Sequence, residues 1–505
     1  MIDGLVAHLP AIVIILPLAA AFAIPVIDVV SARLREPFIA IATVLTSSAM
    51  FLLASRVAVG PFAYAMGGWP AALGIVLVLD KLSAVFIVMI AVGFSTVAVY
   101  SKWSVEHGRS KYYMLLFLLT GAMAGMVLTG DLFNLFVFSE IVSIAAYSIV
   151  AHEKTRDSFE AGLKYLIFGT ISGIFVLLGV SLTFAATGTL NMAMLSSLTP
   201  EIPHGTRRLI LACFLVGFGL KAGIFPLHAW LPDAHSSAPA GASAVLSGVV
   251  VKTGVYTTLR LMFTVFAVAI PGAGPIFPVM AWLGTLSVIT GHLLAMNQSD
   301  LKRLLAYSTV AQVGYIFIGL GAASPSGLAG AAYHAFNHTF MKAALFMAAG
   351  TIVSVTGCRR IDRLNGLFER MPVTTVSLAL AAVAIVGIPP FNGFMSKWTI
   401  MLGALEAGQI IPVLVIPLGT ALSAVYYFRI LSRMFTPVPT SALQRSRVVR
   451  GVEAPWYVLA CVGLLVAACV VFGGIPGVAA LPRYLTTMSD EILRGDLYVR
   501  AVVGP

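Results

Sequence analysis

The apolar and polar positions of the chain repeat in one pattern: runs of roughly 20 apolar residues, the length a helix needs to cross a bilayer, separated by short polar connectors. Fourteen such runs fall near residues 8–29, 37–55, 82–100, 113–129, 132–150, 163–187, 208–226, 240–260, 276–296, 303–322, 328–355, 374–405, 409–428 and 455–474. Alternating stretches of about ten residues, the mark of a membrane β-barrel, do not recur. The pattern predicts an all-α, polytopic membrane protein of about 14 transmembrane helices. Residues 1–505 then form one integral membrane domain, with no soluble domain between the spans.

Two runs are interrupted. "GFGLKAGIFP" in the seventh and "VGIPPFNGFMSKW" in the twelfth insert Gly and Pro, and each places a lysine, Lys221 or Lys397, within a few residues of the interruption. Discontinuous helices at matching positions of two halves mark inverted repeats in transporters, with the site at the break. The expected organisation is three N-terminal helices (1–112), a first five-helix repeat of spans four to eight (113–260), a second, inverted repeat of spans nine to thirteen (276–434), and a last span with a short tail (455–505). A break also frees backbone carbonyls and amides, which calls for a protein-lined, hydrated cavity.

Composition agrees with this class: 59% of the residues are hydrophobic and only 10% are charged. Met1 to Pro10 carries no Lys or Arg, so the run "AAAFA" at 19–23 lacks the basic flank of a signal peptide and the first run reads as an uncleaved span. A net charge of +11 suggests an anionic partner until the 31 Lys and Arg are placed along the chain. Nineteen lie after odd-numbered runs, among them Arg33, Arg35, Lys102, Arg109, Lys111, Lys154, Arg156, Arg359, Arg360, Arg363, Arg370, Arg445, Arg447 and Arg450. Five (Arg56, Lys81, Arg207, Arg208, Arg260) lie after even-numbered runs and three follow the last. By the positive-inside rule both termini then face outward across a cell (inner) membrane. The excess is topogenic, so the partner it implies is the lipid bilayer and not nucleic acid. The four cysteines, Cys213, Cys358, Cys461 and Cys469, form no CxxC pair, which leaves iron–sulfur, zinc and disulfide frameworks unsupported. No cofactor and no metal is expected.

Four basic residues remain at membrane depth, Lys221, Lys252, Lys342 and Lys397, and all are lysine. An arginine stays protonated at any accessible pH, whereas a buried lysine can release its proton. Each such charge costs roughly 2.5–3.5 kcal/mol at mid-membrane even on the lenient insertion scale. Snorkelling or a static ion pair accounts for an isolated case, but accounts less well for four near span middles. Glu140, in "GDLFNLFVFSEIVSIAAYS", is the one carboxylate well inside a run and the natural counter-ion for one of the lysines. Asp131 and Glu160 sit at run ends, where a cap or headgroup contact is the simpler role. In "YHAFNHTFMKAALF", His334, His338 and Lys342 are spaced by four and four and share one helical face. An HxxxH pair also suits zinc, yet no adjacent glutamate or third ligand accompanies it. A line of titratable groups fits a proton wire better; for either histidine alone, backbone-satisfied burial is the alternative.

Together "GDLFNLFVFSE", "GLKAGIFPLHAWLPDAH", "AYSTVAQVGYI", "HAFNHTFMKAALF" and "GIPPFNGFMSKW" make the chain resemble, over nearly its whole length, the antiporter-like subunits shared by Mrp-type cation/proton antiporters, respiratory complex I and related membrane-bound hydrogenases. The resemblance implies that Glu140 of the fifth span pairs with Lys221 of the seventh, that Lys252 of the eighth follows, and that Lys397 of the twelfth ends the line. It implies partners as well: other membrane subunits of an Mrp-like or complex I-like assembly, with protons as the transported species and Na+ as an open second ion. The subunit would not be catalytic by itself, though it could belong to a translocating oxidoreductase. Lys397 in place of glutamate, the stretch "GGWPAALGIVLVLDKLSA" from Gly67 to Ala84, and the lack of a long lateral helix after the last run look most like the D-type component of Mrp antiporters and its counterpart in energy-converting hydrogenases. Ser139 departs from the bulky apolar residue expected before the glutamate, and would admit a water there. His228, Asp233 and His235 rank below Lys221; they are expected in the re-entry and loop toward the next span, Asp233 and His235 as interfacial capping groups.

On this reading protons enter from one face, load the central lysines, pass along Lys221, Lys252, His338, His334 and Lys342 toward Lys397, and leave on the other face, with Glu140 as the switch. A homologous proton- or sodium-pumping subunit of a redox-driven complex, of energy-converting hydrogenase or NADH–quinone oxidoreductase type, is the first alternative. A stand-alone solute transporter would need aromatic and amide groups around one cavity. An electron-transfer or quinone-reacting subunit would need metal ligands or nucleotide-binding glycines. The polar groups here form a line instead.

Overall fold

The computed structural model describes residues 7–266, 276–437, 453–474 and 480–504; the loop arginines Arg445, Arg447 and Arg450 lie outside the described residues. Twelve of the described helices are long and apolar enough to cross a membrane. In chain order they are the first span, Leu9–Val30, second, Ala32–Ser55, third, Lys81–Ser104, fourth, Arg109–Leu128, fifth, Leu132–Val150, and sixth, Arg156–Thr187. After these come the eighth, Ala240–Val265, ninth, Ile276–Met296, tenth, Leu301–Ala322, eleventh, Pro325–Thr356, thirteenth, Ile410–Phe435, and fourteenth, Trp456–Gly474. The two interrupted runs complete the set. The seventh span is His204–Ala222, and the twelfth consists of two half-helices, Pro372–Val386 and Asn392–Glu406.

Both breaks have the same local cause. Gly223 (φ 66°) and Gly387 (φ 88°) take the left-handed conformation that ends a helix, and three residues on, Pro226 and Pro390 lack the amide that would continue it. The two stretches share the pattern Gly-Ile-x-Pro, and in both the X–Pro bond is cis. Correspondence extends outward from the breaks. Asp131 caps the fifth span and bridges to Asn191 just beyond the sixth; Asp300 caps the tenth and bridges to Arg360 just beyond the eleventh. The sixth and eleventh spans are each 32 residues long and each ends on a left-handed glycine, Gly188 or Gly357. One junction follows an even-numbered span and the other an odd-numbered one, so they lie on opposite faces.

The chain departs from its hydropathy pattern at four points. The connector after the second span folds into an antiparallel hairpin, Phe62–Ala65 paired with Val76–Leu79. Residues Trp230–Ser237, expected as loop, form a helix because Pro232 falls in its first turn, where a missing amide is harmless. The tail beyond the fourteenth span forms two helices, Ala480–Arg494 and Asp496–Val503; the first buries Leu485, Met488 and Ile492 at helical spacing against the third and eleventh spans. Arg260, which hydropathy assigns to a connector, lies inside the eighth span and is 2% exposed.

Lipid gives helices no hydrophobic reason to associate, so close packing depends on small residues. The ninth and tenth spans use this fully. A Cβ on either Gly284 or Gly314 would stand 2.6 Å from the carbonyl oxygen of the other, and one on Gly291 would stand 2.6 Å from the Ala311 amide. Gly314→Val should therefore force the two helices apart and destabilise the protein by about 3 kcal/mol. A fall in the thermal midpoint of the detergent-solubilised protein would show it; an unchanged midpoint would mean that the helices have room to part.

Candidate functional site

Lys221 occupies the last turn of the seventh span, just before Gly223. Its Nζ donates to Ser143 Oγ at 2.6 Å, to the Ser139 carbonyl at 3.0 Å and to Glu140 Oε1 at 3.3 Å. Three acceptors meet the three donors of an ammonium, so the charged form is fully satisfied. The carboxylate has its place because the sixth span has no side chain opposite it: a Cβ on Gly173 would come 2.9 Å from Glu140 Oε1. The Lys221 side chain is 9% exposed, whereas that of Glu140 is 31% exposed on the outside of the chain. Ser139 is buried and its hydroxyl turns back onto the Phe136 carbonyl at 2.9 Å. Its contribution to the pair is therefore its own carbonyl.

Lys252 is wholly buried in the eighth span, between the π-helical segments Leu246–Val250 and Arg260–Val265. Such segments are common where a helix carries function. Its ammonium donates to the Ser247 carbonyl, and Ser247 Oγ lies 2.8 Å from Thr309 Oγ1 of the tenth span. The eleventh span carries the next three groups on one face, as the four-and-four spacing requires. The rings of His334 and His338 stack with centroids 5.9 Å apart. His334 is held at both nitrogens, with Nδ1 2.9 Å from Ser396 Oγ and Nε2 3.0 Å from Gln312 Oε1. Both nitrogens of His338 are buried with no hydrogen-bond partner among the described residues, and Lys252 and Lys342 lie within electrostatic reach of it. Lys342 donates to the Leu305 carbonyl at 2.6 Å and to Ser308 Oγ, which is itself 2.9 Å from Tyr427 OH.

Lys397 is held in a different way. Its Nζ donates to the carbonyls of Ile385 and Val386, each at 3.0 Å. These are the last carbonyls of the first half-helix, deprived of helical partners by the break and located at the negative end of its dipole. The second half-helix thus supplies the cation that the first half-helix lacks. The face of the Tyr315 ring lies 4.7 Å from the same Nζ.

The structure adds a second row that hydropathy and charge do not reveal. His292 of the ninth span is buried with Nδ1 3.1 Å from Tyr426 OH and Nε2 3.1 Å from Tyr315 OH. Tyr426 packs on Tyr427, with ring centroids 4.7 Å apart. Tyr427 and Ser308 therefore connect the surroundings of Lys342 to Tyr426, His292 and Tyr315, and so to Lys397. In the sequence these are hydroxyls and one imidazole scattered over three spans, with only the adjacent pair Tyr426–Tyr427 standing out.

The three lower-ranked residues of the seventh-span stretch separate. Asp233 is not a cap: it is the centre of an ion-pair cluster, 2.8 Å from Lys164 Nζ and 3.1 Å from Arg303. With Asp157, Glu160, Asp300 and Arg359 it lines a polar cavity of about 380 Å³ at the odd-loop face. Nor is His235 a cap. The short helix turns it inward, where it is fully buried between Trp230 and Phe346, with no hydrogen-bond partner for either nitrogen among the described residues and with Lys252, Lys302 and Lys342 within electrostatic reach. His228 is partly buried against Phe225 in the break itself.

The family profile described as "NADH:quinone oxidoreductase/Mrp antiporter, TM" matches residues 129–423. The N-type component of the NADH-quinone oxidoreductase of Desulforudis audaxviator is 38% identical over 449 residues, covering 87% of this chain and 89% of that protein. The D-type component of the Na(+)/H(+) antiporter of Bacillus subtilis is 32% identical over 447 residues, 87% of each chain. Among solved structures, a chain of the membrane-bound sulfane sulfur reductase, an archaeal respiratory membrane complex, superposes with a TM-score of 0.88 at 33% identity, over 98% of this chain and all of that one. A chain of the Mrp complex from Dietzia sp. DQ12-45-1b gives 0.88 at 25% identity, over 99% of this chain and all of that one. With interrupted spans, buried lysines and these likenesses in agreement, the chain belongs to the family of NADH:quinone oxidoreductase and Mrp antiporter transmembrane subunits.

Proposed function

We propose that this chain is the proton-translocating, antiporter-like subunit of a multisubunit membrane complex. Protons pass sideways through the membrane from Lys221 and Lys252 by His338, His334 and Lys342 to Lys397. The observation that carries the reading is the set of partners. Among the described residues Lys221 alone of the four lysines contacts a carboxylate, and Lys252, Lys342 and Lys397 rest on neutral oxygens. A lysine held by neutral oxygens keeps acceptable surroundings when it gives up its proton, because no buried anion is left behind. Glu140 is the switch: while it touches Lys221 the ammonium is held, and separation of the pair releases the proton to the next station. One pKa unit is about 1.4 kcal/mol, so modest modulation matches the roughly 2.3 kcal/mol that 100 mV supplies per charge.

The exposed side of Glu140 supports membrane partners, since a carboxylate at this depth is not left facing lipid. In this proposal a neighbouring subunit covers it. Residues 113–260 and 276–434 are two inverted repeats, supported by the shared Gly-Ile-x-Pro breaks and the matched capping junctions on opposite faces. Both termini face outward across the cell membrane, supported by the excess of Lys and Arg after odd-numbered spans. Two energy sources fit the protein. Lys397 favours a cation/proton antiporter of the Mrp type, with this chain as its D-type component. The higher identities, 38% against 32% and 33% against 25%, favour a redox-driven complex. Mass spectrometry of the intact complex decides: small antiporter subunits support the first, iron–sulfur or nickel–iron subunits the second.

Glu140→Ala and Lys221→Ala should each abolish driven proton movement in membrane vesicles while the complex still assembles; full transport in either sinks the scheme. Gly173→Val should reproduce the Glu140→Ala defect without touching a charge, because the new side chain displaces the carboxylate. If it transports normally, the close approach of Glu140 to the sixth span has no functional role. Lys397→Arg keeps the charge but not the releasable proton, and is expected to lose transport. Normal rates would make residue 397 a fixed counter-charge only.

A further inference from the structure

The line of lysines needs a closed flank. Lys252 lies on one helical face with Tyr256 and Arg260, spaced by four and four toward the even-loop end of the eighth span. A proton on Lys252 has two helical turns to cover in order to leave by that end and bypass Lys397. What stands in those two turns is a locked column. Arg260 makes a bidentate pair with Asp80 at 2.6 and 2.7 Å, and its Nε donates to Tyr256 OH at 3.2 Å. Tyr256 OH in turn donates to the Val127 carbonyl of the fourth span. The guanidinium carbon lies 5.4 Å from the Tyr256 ring and 4.7 Å from the ring of Tyr498, which comes from the last tail helix. That tail is fastened by Lys81–Glu491 at 2.5 Å and by Tyr484 OH donating to the Lys81 carbonyl at 3.1 Å.

This arrangement differs from the proton line in its chemistry. An arginine does not release its proton and cannot relay one, and paired with Asp80 it is fixed in place as an ordered block that does not titrate. Burial by itself would raise the Asp80 carboxyl, but the charge and hydrogen bonds of Arg260 outweigh it and hold the carboxyl below the usual carboxylate range, so the lock stays ionised. The cavity beside the pair is about 20 Å³, which is room for about one water and not for a file of them.

We propose that Asp80, Arg260 and Tyr498 form a proton seal that closes the even-loop end of the eighth span and obliges a proton on Lys252 to leave laterally. The proposal rests on the lateral line described above, and assigns the folded tail a role in coupling. Eight residues of helix are about 12 Å. Across that distance a proton needs a file of waters or a chain of titrating groups, and the ion pair offers neither.

The test uses the intact complex in liposomes with a trapped pH dye and an imposed potassium diffusion potential, without its driving substrate. The neutral pair Asp80→Asn with Arg260→Gln keeps hydrogen-bonding groups but breaks the bidentate lock, and should raise passive proton influx several-fold above the wild-type value. Adding Lys252→Gln to that pair should return influx to the wild-type value. Unchanged influx in the assembled neutral pair overturns the seal, and so does a raised influx that survives Lys252→Gln. Should the neutral pair fail to assemble, truncation after Gly495 removes Tyr498 and decides by the same reading: raised, Lys252-dependent influx supports the seal and a tight membrane overturns it. A tight neutral pair with normal driven transport would remove the seal and leave the line of lysines standing. Loss of transport in Lys397→Arg bears on the line and not on the seal.

Discussion

An ammonium group inside a bilayer has to find oxygens, and the rest of this structure follows from how that need is met. A partner that is itself charged fixes the proton in place, whereas neutral carbonyls and hydroxyls hold the ammonium and tolerate the amine. The fold supplies neutral oxygens by breaking helices. The first half of the twelfth span stops at Gly387 and leaves the Ile385 and Val386 carbonyls free for Lys397. The π segments of the eighth span and the hydroxyls of the tenth do the same for Lys252 and Lys342. Breaks that look like defects of hydropathy are the means by which a lysine's charge becomes tolerable at membrane depth.

The same economy explains where fixed charges appear. Glu140 is the one carboxylate on the line, and it lies at the surface of the chain, where a neighbour can alter its surroundings. Arg260, the cation that cannot let go, is set apart from the line and paired at once with Asp80. In the proposed mechanism releasable and unreleasable charge are thus kept in different places: lysines where protons are to pass, an arginine where they are not.

Much of this is legible in the sequence, for a physical reason. In an apolar span any charge is costly, so Lys221, Lys252, Lys342, Lys397 and Glu140 stand out by composition, and Gly-Ile-x-Pro marks the breaks. Neutral partners carry no such cost. Ser143, which makes the shortest bond to Lys221, is one serine among many, and Gly173 acts by what it lacks. His292, Tyr315, Tyr426 and Tyr427 come from three different spans, and no spacing within one helix brings them together. Hydropathy misplaces two residues. It puts Arg260 in a connector because the apolar run ends near it, yet ion pairing with Asp80 carries the helix on to Val265. It puts His235 at the interface because its neighbours are polar, yet the short helix Trp230–Ser237 turns it into the core.

Whether the buried lysines carry protons is decided by their charge state. The 15N chemical shift of lysine Nζ separates ammonium from amine, and single Lys→Arg replacements assign the signals of Lys221, Lys252, Lys342 and Lys397 in the intact complex. Lys252, Lys342 and Lys397 are expected to change charge state between the resting and the driven membrane, and Lys221 to do so only while Glu140 is present to be withdrawn. Four signals that remain ammonium under both conditions would contradict this, because the lysines would then be fixed charges and not carriers.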